Sequence, residues 1–126
     1  MCRTVQALTQ EAKAKMAMFC DLDADRIIEA RDEKSIYRVP VAFYEQDFHT
    51  KILKRFGLAT GTCDLQDWNV RVNALLHPEH EVHIAIAGKY TQLDDSYLSV
   101  VESLKHAGSL YHTKVTIHWL NTETLE

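Results

Sequence analysis

A chain of 126 residues with 46% hydrophobic and 25% charged residues has the size and composition of an ordinary globular domain. Its formal net charge of −4 gives no electrostatic reason to expect nucleic-acid binding. No apolar run approaches the roughly 20 residues of a membrane span, and we expect no signal peptide. The odd number and wide spacing of Cys2, Cys20 and Cys63 predict free thiols in a reducing cytoplasm.

The first half of the chain predicts helices joined by short connections. Thr9 is a suitable N-cap for a helix whose Ala12, Met16 and Phe19 share one face, which assigns Phe19 to the core. The further elements are a buried strand at 26–30, a helix from Pro40 to about Gln46, a helix with Phe48, Ile52 and Phe56 that stops at Gly57, and a helix that begins after Asp64 and ends at His77-Pro78. We expect the partners of the strand to precede residue 1.

The second half predicts a strand, a helix and a second strand. Residues 81–87 alternate large apolar side chains with small alanines, which is typical of a parallel sheet covered on both faces. A helix from about 95 to 107 stops at Gly108, and residues 114–120 form the second strand. The residues that this helix is expected to bury are Tyr97, Val100, Val101 and Leu104. Because a crossover helix joins them, the two strands should be parallel.

The stretch "AIAGKYTQLDDSY" at 85–97 has the strand, Gly-Lys turn and helix order of a phosphate-binding loop. A Walker loop requires G-x-x-x-x-G-K-[ST], whose backbone amides surround the phosphates. Here Gly88 stands alone and Lys89 is followed by Tyr90. Acidic Asp94 and Asp95 at the helix start would repel a phosphate. We therefore interpret this stretch as an ordinary strand-to-helix connection.

Two other patterns resemble reactive sites without meeting their requirements. "GTCDL" around Cys63 lacks the second Gly of a nucleophile elbow and follows no apolar strand, so it predicts an ordinary loop thiol. His77, His80 and His83 suggest zinc ligands, but they fall on a helix end and a strand. No single element aligns them, and we interpret them as surface histidines.

Six short blocks of sequence occur along the chain. Their order and spacing together identify a protein family more specifically than any single block does. They are "CR" at 2–3, "AKMAMFC" at 14–20, "DEKSIYRVP" at 32–40, "KRFGL" at 54–58, Trp68, and "GKYTQLDDSYLSVVESLKHAG" at 88–108. In these blocks the chain resembles the middle of the CTP synthases along its whole length. The resemblance implies an α/β fold with the C-terminal part of a P-loop-type synthetase (amidoligase) domain at 1–64. It also implies an interdomain linker helix at 65–81 and the first βαβ unit of a class I glutamine amidotransferase (flavodoxin-like) domain at 82–126.

What the resemblance implies about function concerns the full-length enzyme. In that family ATP phosphorylates O4 of UTP with Mg²⁺, and ammonia from glutamine then displaces the phosphate to give CTP. GTP activates the glutaminase step, and the enzymes are homotetramers. The catalytic residues and metal ligands of the family fall outside this segment, so the chain alone is expected to be inactive.

The resemblance assigns nucleotide contacts to a few positions. Lys15 matches a lysine that contacts UTP or CTP, and its alternative reading is a solvated helix lysine. Arg3 matches an arginine near the ATP base, and its alternative is a frayed terminus. Arg31, Asp32 and Glu33 match the segment that reads the adenine edge, although the family usually has an apolar residue in place of Glu33 and often an Asp in place of Lys34.

Lys89 and the overall role of the chain each have two readings. By resemblance, Lys89 lies at the seam between two domains, where it meets a phosphate of the GTP effector or an acidic group of the partner domain. The chain itself is either a segment of an amidoligase or a stand-alone truncated relative that acts as an interaction module on intact CTP synthase subunits.

Overall fold

The computed structural model describes residues 1–93 and 95–123, which form mixed α/β structure with two small parallel sheets. The chain divides into two compact units, residues 1–65 and residues 66–126. Across the described ranges, no helix is long and apolar enough to cross a membrane. Asp94, placed above at a helix start, lies outside the described residues.

The first unit contains two short strands, three α-helices and two 3₁₀ turns. They are β1 (Cys2–Thr4), α1 (Gln10–Cys20), a 3₁₀ turn at Ala24–Arg26, β2 (Glu29–Arg31), a 3₁₀ turn at Ile36–Arg38, α2 (Val39–Tyr44) and α3 (Phe48–Arg55). The predicted helices are all present, and their bounds agree with the sequence to within a few residues.

Strand β2 pairs in parallel with the first residues of the chain. Cys2 lies opposite Glu29, and Thr4 lies opposite Arg31. The expectation that the partners of this strand precede residue 1 is therefore wrong for one edge of β2. The strand also begins later than predicted, because a 3₁₀ turn occupies Ala24–Arg26.

The N-cap of α1 is confirmed, but the face that the helix buries differs from the prediction. The Thr9 hydroxyl accepts a hydrogen bond from the Ala12 N–H at 3.1 Å. Ala17 is 6% exposed, whereas Phe19 is 82% exposed. Residues two apart in a helix point in nearly opposite directions, so burying Ala17 turns Phe19 outward. The assignment of Phe19 to the core is wrong for this chain.

Helices α2 and α3 form where Pro40 predicts a helix start and Gly57 predicts a helix stop. Pro40 lies in the first turn of α2, and Gly57 takes a left-handed φ of +67° just after α3. The rings of Phe43 and Phe48 pack with their centroids 5.2 Å apart. Phe56, at the far end of the apolar stripe of α3, is 73% exposed.

The second unit contains two helices and two strands in its described part. They are α4 (Gln66–Leu76), β3 (His80–Gly88), α5 (Leu98–Leu110) and β4 (Thr113–Asn121). The predicted parallel pairing of β3 with β4 is confirmed, with Ile84 opposite Ile117. Helix α4 ends before His77 as predicted, and it packs against α5 and β4.

The sheet of the second unit has one covered and one open face. Helix α5 packs against β4 on the side of Val115. On the other side, Ala85 and Ala87 are exposed. The expectation of a sheet covered on both faces is therefore not met within this unit.

Helix α5 starts and ends later than the sequence predicts, and Gly108 is not its stop. Gly108 is buried inside the helix, and the left-handed residue that follows α5 is His112, with a φ of +49°. A Cβ on Gly108 would lie 2.5 Å from the carbonyl oxygen of Thr113 and 2.9 Å from Cγ2 of Val115. The glycine permits close packing of α5 on β4 rather than ending the helix. Val100, expected to be buried, is 48% exposed.

Replacing Gly108 with Ala should therefore destabilise the second unit. Because the added methyl would meet backbone, which cannot move aside cheaply, we expect a loss of about 1 to 3 kcal/mol. Both tryptophans, Trp68 and Trp119, belong to this unit, so urea unfolding followed by tryptophan fluorescence isolates it. Gly61→Ala is the matched control, since a Cβ there meets nothing within 4 Å. Equal midpoints for the two variants would contradict the packing role.

Candidate functional site

Four of the predicted ligand residues lie at one edge of the small sheet of the first unit. Arg3 is in β1, Arg31 is the last residue of β2, and Asp32 and Glu33 follow directly. The register places Thr4, the end of β1, opposite Arg31. The carboxyl edge of parallel strands is where α/β proteins place their ligands.

Arg3 and Asp32 are brought together by this register. A terminal nitrogen of Arg3 forms an ion pair with the carboxylate of Asp32, and its other terminal nitrogen donates to the carbonyl of Ala30 at 3.1 Å. The side chains of Arg3 and Asp32 remain 70% and 53% exposed. Arg3 is thus held in place rather than frayed, while both groups stay open to a ligand.

A buried carboxylate at the first position of β2 was not singled out by the sequence analysis. Glu29 is 7% exposed, and its side chain meets Lys13 of α1 at 2.6 Å. Its other oxygen accepts from the Leu8 N–H at 3.2 Å and lies 3.6 Å from Nε of Arg31. We call these four residues the Glu29 cluster. Through it, a predicted ligand residue, Arg31, is tied to helix α1.

The backbone of Glu29 is fixed by a single side chain from beyond α2. The side-chain oxygen Oε1 of Gln46 accepts a hydrogen bond from the Glu29 N–H at 2.8 Å, and the side-chain nitrogen Nε2 donates to the Glu29 carbonyl at 2.9 Å. The same amide nitrogen donates to the carbonyl of Ala42 at 3.0 Å. Gln46 therefore acts like an adjoining strand, satisfying both polar groups of a buried residue.

Electrostatics favours the ionised form of Glu29. The hydrogen bond from Lys13 holds its pKa below the ordinary value of 4.5, outweighing the opposing effect of burial, and the Leu8 N–H and the charge of Arg31 assist. One signal in the sequence could have found it. An acidic residue in the middle of "RIIEA", a predicted buried strand, requires a partner.

Lys15 lies on α1, away from the contacts of the Glu29 cluster. Its ammonium pairs with Glu11 at 3.2 Å, one turn earlier in the helix, and its side chain is 67% exposed. Lys13, two residues before it, is the lysine that the fold uses internally. Lys15 thus has the exposure that a ligand contact needs.

Lys89 follows β3 in a turn whose shape depends on Tyr97. The Tyr97 hydroxyl donates to the Lys89 carbonyl at 2.8 Å, and a Cβ on Gly88 would overlap that hydroxyl. The Tyr97 ring packs on Trp119, with centroids 5.5 Å apart. Helix α5 begins only at Leu98, so the turn does not lead directly into a helix as a phosphate-binding loop does. Gly88 is explained by packing, and the Lys89 side chain is exposed.

The structure gives neither Cys63 nor the three histidines the surroundings of the reactive sites that their sequence patterns resemble. Cys63 is an exposed free thiol in a connection without regular structure. His77 and His80 are exposed, and His83 meets His118 of β4 instead of either of them. In the described ranges, no group of three or more His, Cys, Asp or Glu residues is placed to hold a metal ion.

A groove of about 500 Å³ in the first unit was not anticipated. It is lined by Leu22, Asp25, Arg26, Ile28, Phe48, Lys51, Ile52, Lys54 and Arg55. Its lining combines four apolar side chains with four basic ones and one acidic one. None of the predicted nucleotide contacts lines it.

Comparisons with known proteins support a likeness to the CTP synthases. Residues 1–58 match the family model described as "CTP synthase N-terminus". The chain is 44% identical over 126 residues to the CTP synthase of Desulfitobacterium hafniense (strain Y51), covering 100% of this chain and 24% of that protein. It is 44% identical over 123 residues to that of Caldanaerobacter subterraneus subsp. tengcongensis, covering 98% and 23%. For Methanocaldococcus jannaschii the identity is 40% over 126 residues, covering 100% and 23%.

The chain belongs to the CTP synthase family. It spans about a quarter of the length of the curated relatives that it matches. The family-model match contains Arg3, Lys15 and residues 31–33, so these predicted contacts lie in the part of the chain with the firmest family assignment.

The Glu29 cluster predicts a specific pH dependence of stability. Because folding lowers the Glu29 pKa, ionised Glu29 stabilises the fold above pH 4.5, and this contribution is lost as the pH falls through the folded-state pKa. Glu29→Gln should therefore cost about 1 to 3 kcal/mol near neutrality and progressively less in acid. Hydrogen exchange of peptides from α1 and β2 measures the difference.

Glu11→Gln is the matched control for this experiment. It removes an exposed carboxylate that pairs with Lys15 across one helical turn, which should change stability by no more than about 0.5 kcal/mol. A pH-independent loss in Glu29→Gln, or an equal loss in both variants, would contradict the electrostatic role of Glu29.

Proposed function

We propose that this chain is an internal segment of a CTP synthase, a ligase that makes CTP from UTP with ATP and glutamine-derived ammonia. Residues 1–64 would form the end of the synthetase domain, 65–81 the linker helix, and 82–126 the start of the glutaminase domain. The observation that carries the proposal is the Arg3–Asp32 pair at the carboxyl edge of β1 and β2, inside the family-model match.

In this proposal the adenine of ATP lies beside the Arg3–Asp32 pair. The ion pair uses the N–H edge of the Arg3 guanidinium, which leaves its flat face available to stack on a purine ring. Residues 31–33 would then offer backbone N–H and C=O groups to the adenine edge. Glu29 acts indirectly, because it holds Arg31 and α1 in place.

The proposed contact to UTP or CTP is Lys15. Its ammonium is exposed and pairs with Glu11 through one salt bridge, which a triphosphate could displace because an exposed pair stabilises by less than about 1 kcal/mol. Lys89 would approach the GTP effector or an acidic group at the domain seam. Mg²⁺, which supports phosphate transfer in the family, would be held by residues outside this segment.

The chain alone should not make CTP. Its sequence contains no Walker motif, and we assign no glutamine nucleophile to it. The expected result is no CTP above a protein-free control when the purified 126-residue chain is supplied with UTP, ATP, Mg²⁺ and either ammonia or glutamine. CTP formation that scales with the concentration of the chain would overturn the proposal that it is an incomplete segment.

A chimera tests the residue assignments. Residues 1–126 replace the matched stretch of the Desulfitobacterium hafniense relative. Lys15→Ala should weaken UTP more than ATP, and Asp32→Ala should weaken ATP more than UTP. Losing one charge-assisted contact costs about 1.5 to 3 kcal/mol, or roughly tenfold or more in affinity.

Lys105→Ala is the control for this chimera, since Lys105 is another helix lysine, paired with Glu102 at 2.7 Å. It should leave both nucleotide affinities unchanged. Equal effects of Lys15→Ala and Asp32→Ala on the two nucleotides would show that the assignments are wrong, even if the chimera makes CTP.

A second candidate function is an interaction module that binds intact CTP synthase subunits. The observation that favours it is the exposure of large apolar side chains, including Phe19 and Phe56 in the first unit and Tyr111 in the second, which are 82%, 73% and 73% exposed. Sedimentation of the chain mixed with the full-length relative distinguishes the two. A stable mixed complex favours the module, and separate sedimentation favours the segment.

A further inference from the structure

One side of strand β2 is held by a side chain instead of a neighbouring strand. In a parallel pair, the backbone groups of alternate residues point to opposite sides of a strand. The Cys2 N–H donates to the Ile28 carbonyl at 2.7 Å, and Cys2 lies opposite Glu29, so the backbone groups of Glu29 point away from β1. On that side they meet the side chain of Gln46. Gln46 therefore takes the place of a third strand at one residue of β2.

The side-chain amide of Gln46 matches its three partners. Oε1 accepts from the Glu29 N–H at 2.8 Å, whereas Nε2 donates to the carbonyls of Glu29 and Ala42 at 2.9 and 3.0 Å. Both N–H groups of Nε2 are thus used. Among side chains of this length, only glutamine combines an acceptor oxygen with two donors on one nitrogen, so this set of contacts requires glutamine.

The main chain of Gln46 is itself held in place. Its N–H donates to the Phe43 carbonyl at 3.2 Å, and its carbonyl accepts from the ammonium of Lys51 at 2.8 Å. Phe43 belongs to α2 and Lys51 to α3, so both helices anchor the turn that presents Gln46 to β2. All of these contacts lie within the first unit.

This fixed point lies next to the segment that is proposed to contact adenine. Arg31 is two residues beyond Glu29 in β2, so its backbone groups project to the same side of the strand as those of Glu29. A displacement of the Glu29 main chain would therefore pass directly to residues 31–33. A misplacement of about 1 Å, even by a substitution far from the reacting atoms, can reduce the rate of an enzyme about 100-fold.

We propose that Gln46 is a positioning residue for ATP, which holds β2 so that the backbone of residues 31–33 matches the edge of adenine. Adenine carries a 6-amino donor, whereas hypoxanthine, the base of inosine triphosphate (ITP), carries an oxygen acceptor there. A backbone distinguishes the two bases only while its N–H and C=O groups are aligned with that edge. Because Gln46 acts through residues 31–33, its role rests on the adenine contact proposed above for that segment.

Gln46→Glu isolates this role, because it keeps the length of the side chain and the acceptor for the Glu29 N–H. It replaces the donor nitrogen with a carboxylate oxygen, which would face the carbonyl oxygens of Glu29 and Ala42. Repulsion between these oxygens should move β2 away from Gln46. The side chains of Arg3, Arg31 and Asp32 are unchanged in this variant.

The experiment measures ammonia-dependent CTP synthesis by the chimera described above. In Gln46→Glu, the KM for ATP should rise about tenfold, while kcat at saturating ATP and the KM for UTP should change less than about twofold. The second readout is the inhibition constant of ITP in competition with ATP. It should change less than about twofold, so its ratio to the KM for ATP should fall about fivefold.

Gln92→Glu is the matched control, since it makes the same substitution at an exposed position of the second unit. It should leave all of these constants unchanged. Thermal unfolding of each chimera checks that the variants remain folded. A general loss of stability would lower the active fraction and hence kcat, without a selective rise in the KM for ATP.

Asp32→Ala distinguishes a failure of this role from a failure of the proposed adenine contact. If Asp32→Ala weakens ATP selectively and Gln46→Glu does not, the role of Gln46 is wrong while the adenine contact stands. If neither variant weakens ATP selectively, both are wrong. A folded Gln46→Glu chimera that loses ATP and UTP affinity equally would also overturn the role.

Lys51→Met provides the test if Gln46→Glu yields no folded chimera. It removes the contact from the Lys51 ammonium to the Gln46 carbonyl and leaves the side chain of Gln46 intact. A selective rise in the KM for ATP in this variant supports the role of Gln46, and unchanged constants overturn it.

Discussion

The first unit depends on keeping one buried carboxylate ionised, that of Glu29 at the start of β2. Strands of three residues provide few hydrogen bonds, so β1 and β2 cannot hold the surrounding helices by pairing alone. Glu29 supplies the missing connections through its side chain, to Lys13 and Arg31, and through its backbone, to Gln46. A buried charge is costly unless it is fully paired. The loss of one of these contacts would therefore make the remaining ones less stabilising.

The second unit depends on close approach instead of charge. Gly108 lets α5 lie against the start of β4, and Gly88 leaves room for the hydroxyl of Tyr97. At both positions a neighbouring group occupies the space that a side chain would need, and this is why each residue is a glycine. Tyr97 in turn packs on Trp119, so the end of β3, the segment before α5 and the end of β4 are held by one set of contacts.

Local features of the sequence predicted much of this, and features that depend on distant residues were missed. The cap at Thr9, the stop at Gly57 and the parallel strands follow from a few neighbouring residues, and each is confirmed. The roles of Glu29 and Gly108 depend on partners far along the chain. Spacing alone also placed Phe19 inside, because periodicity identifies a shared helix face without showing which face is covered. In the candidate site, the resemblance supplied the residues, and the pairing of Arg3 with Asp32 required the strand register.

Glu33 and Lys34 directly follow the Asp32 of this pair. At both positions, the resemblance indicates that this chain differs from the residues usual in the family. The Asp32 carboxylate is already engaged by Arg3, and Glu33 is a half-buried acid at a position where the resemblance predicts an apolar side chain. If the residue at this position had to pack on adenine, a carboxylate would place a desolvated charge against an aromatic face, which is unfavourable. Recognition through the backbone of residues 31–33 carries no such cost, because every residue type offers the same N–H and C=O groups. The substitution is therefore compatible with ATP binding when adenine is read by the main chain, whose position the Glu29 cluster maintains.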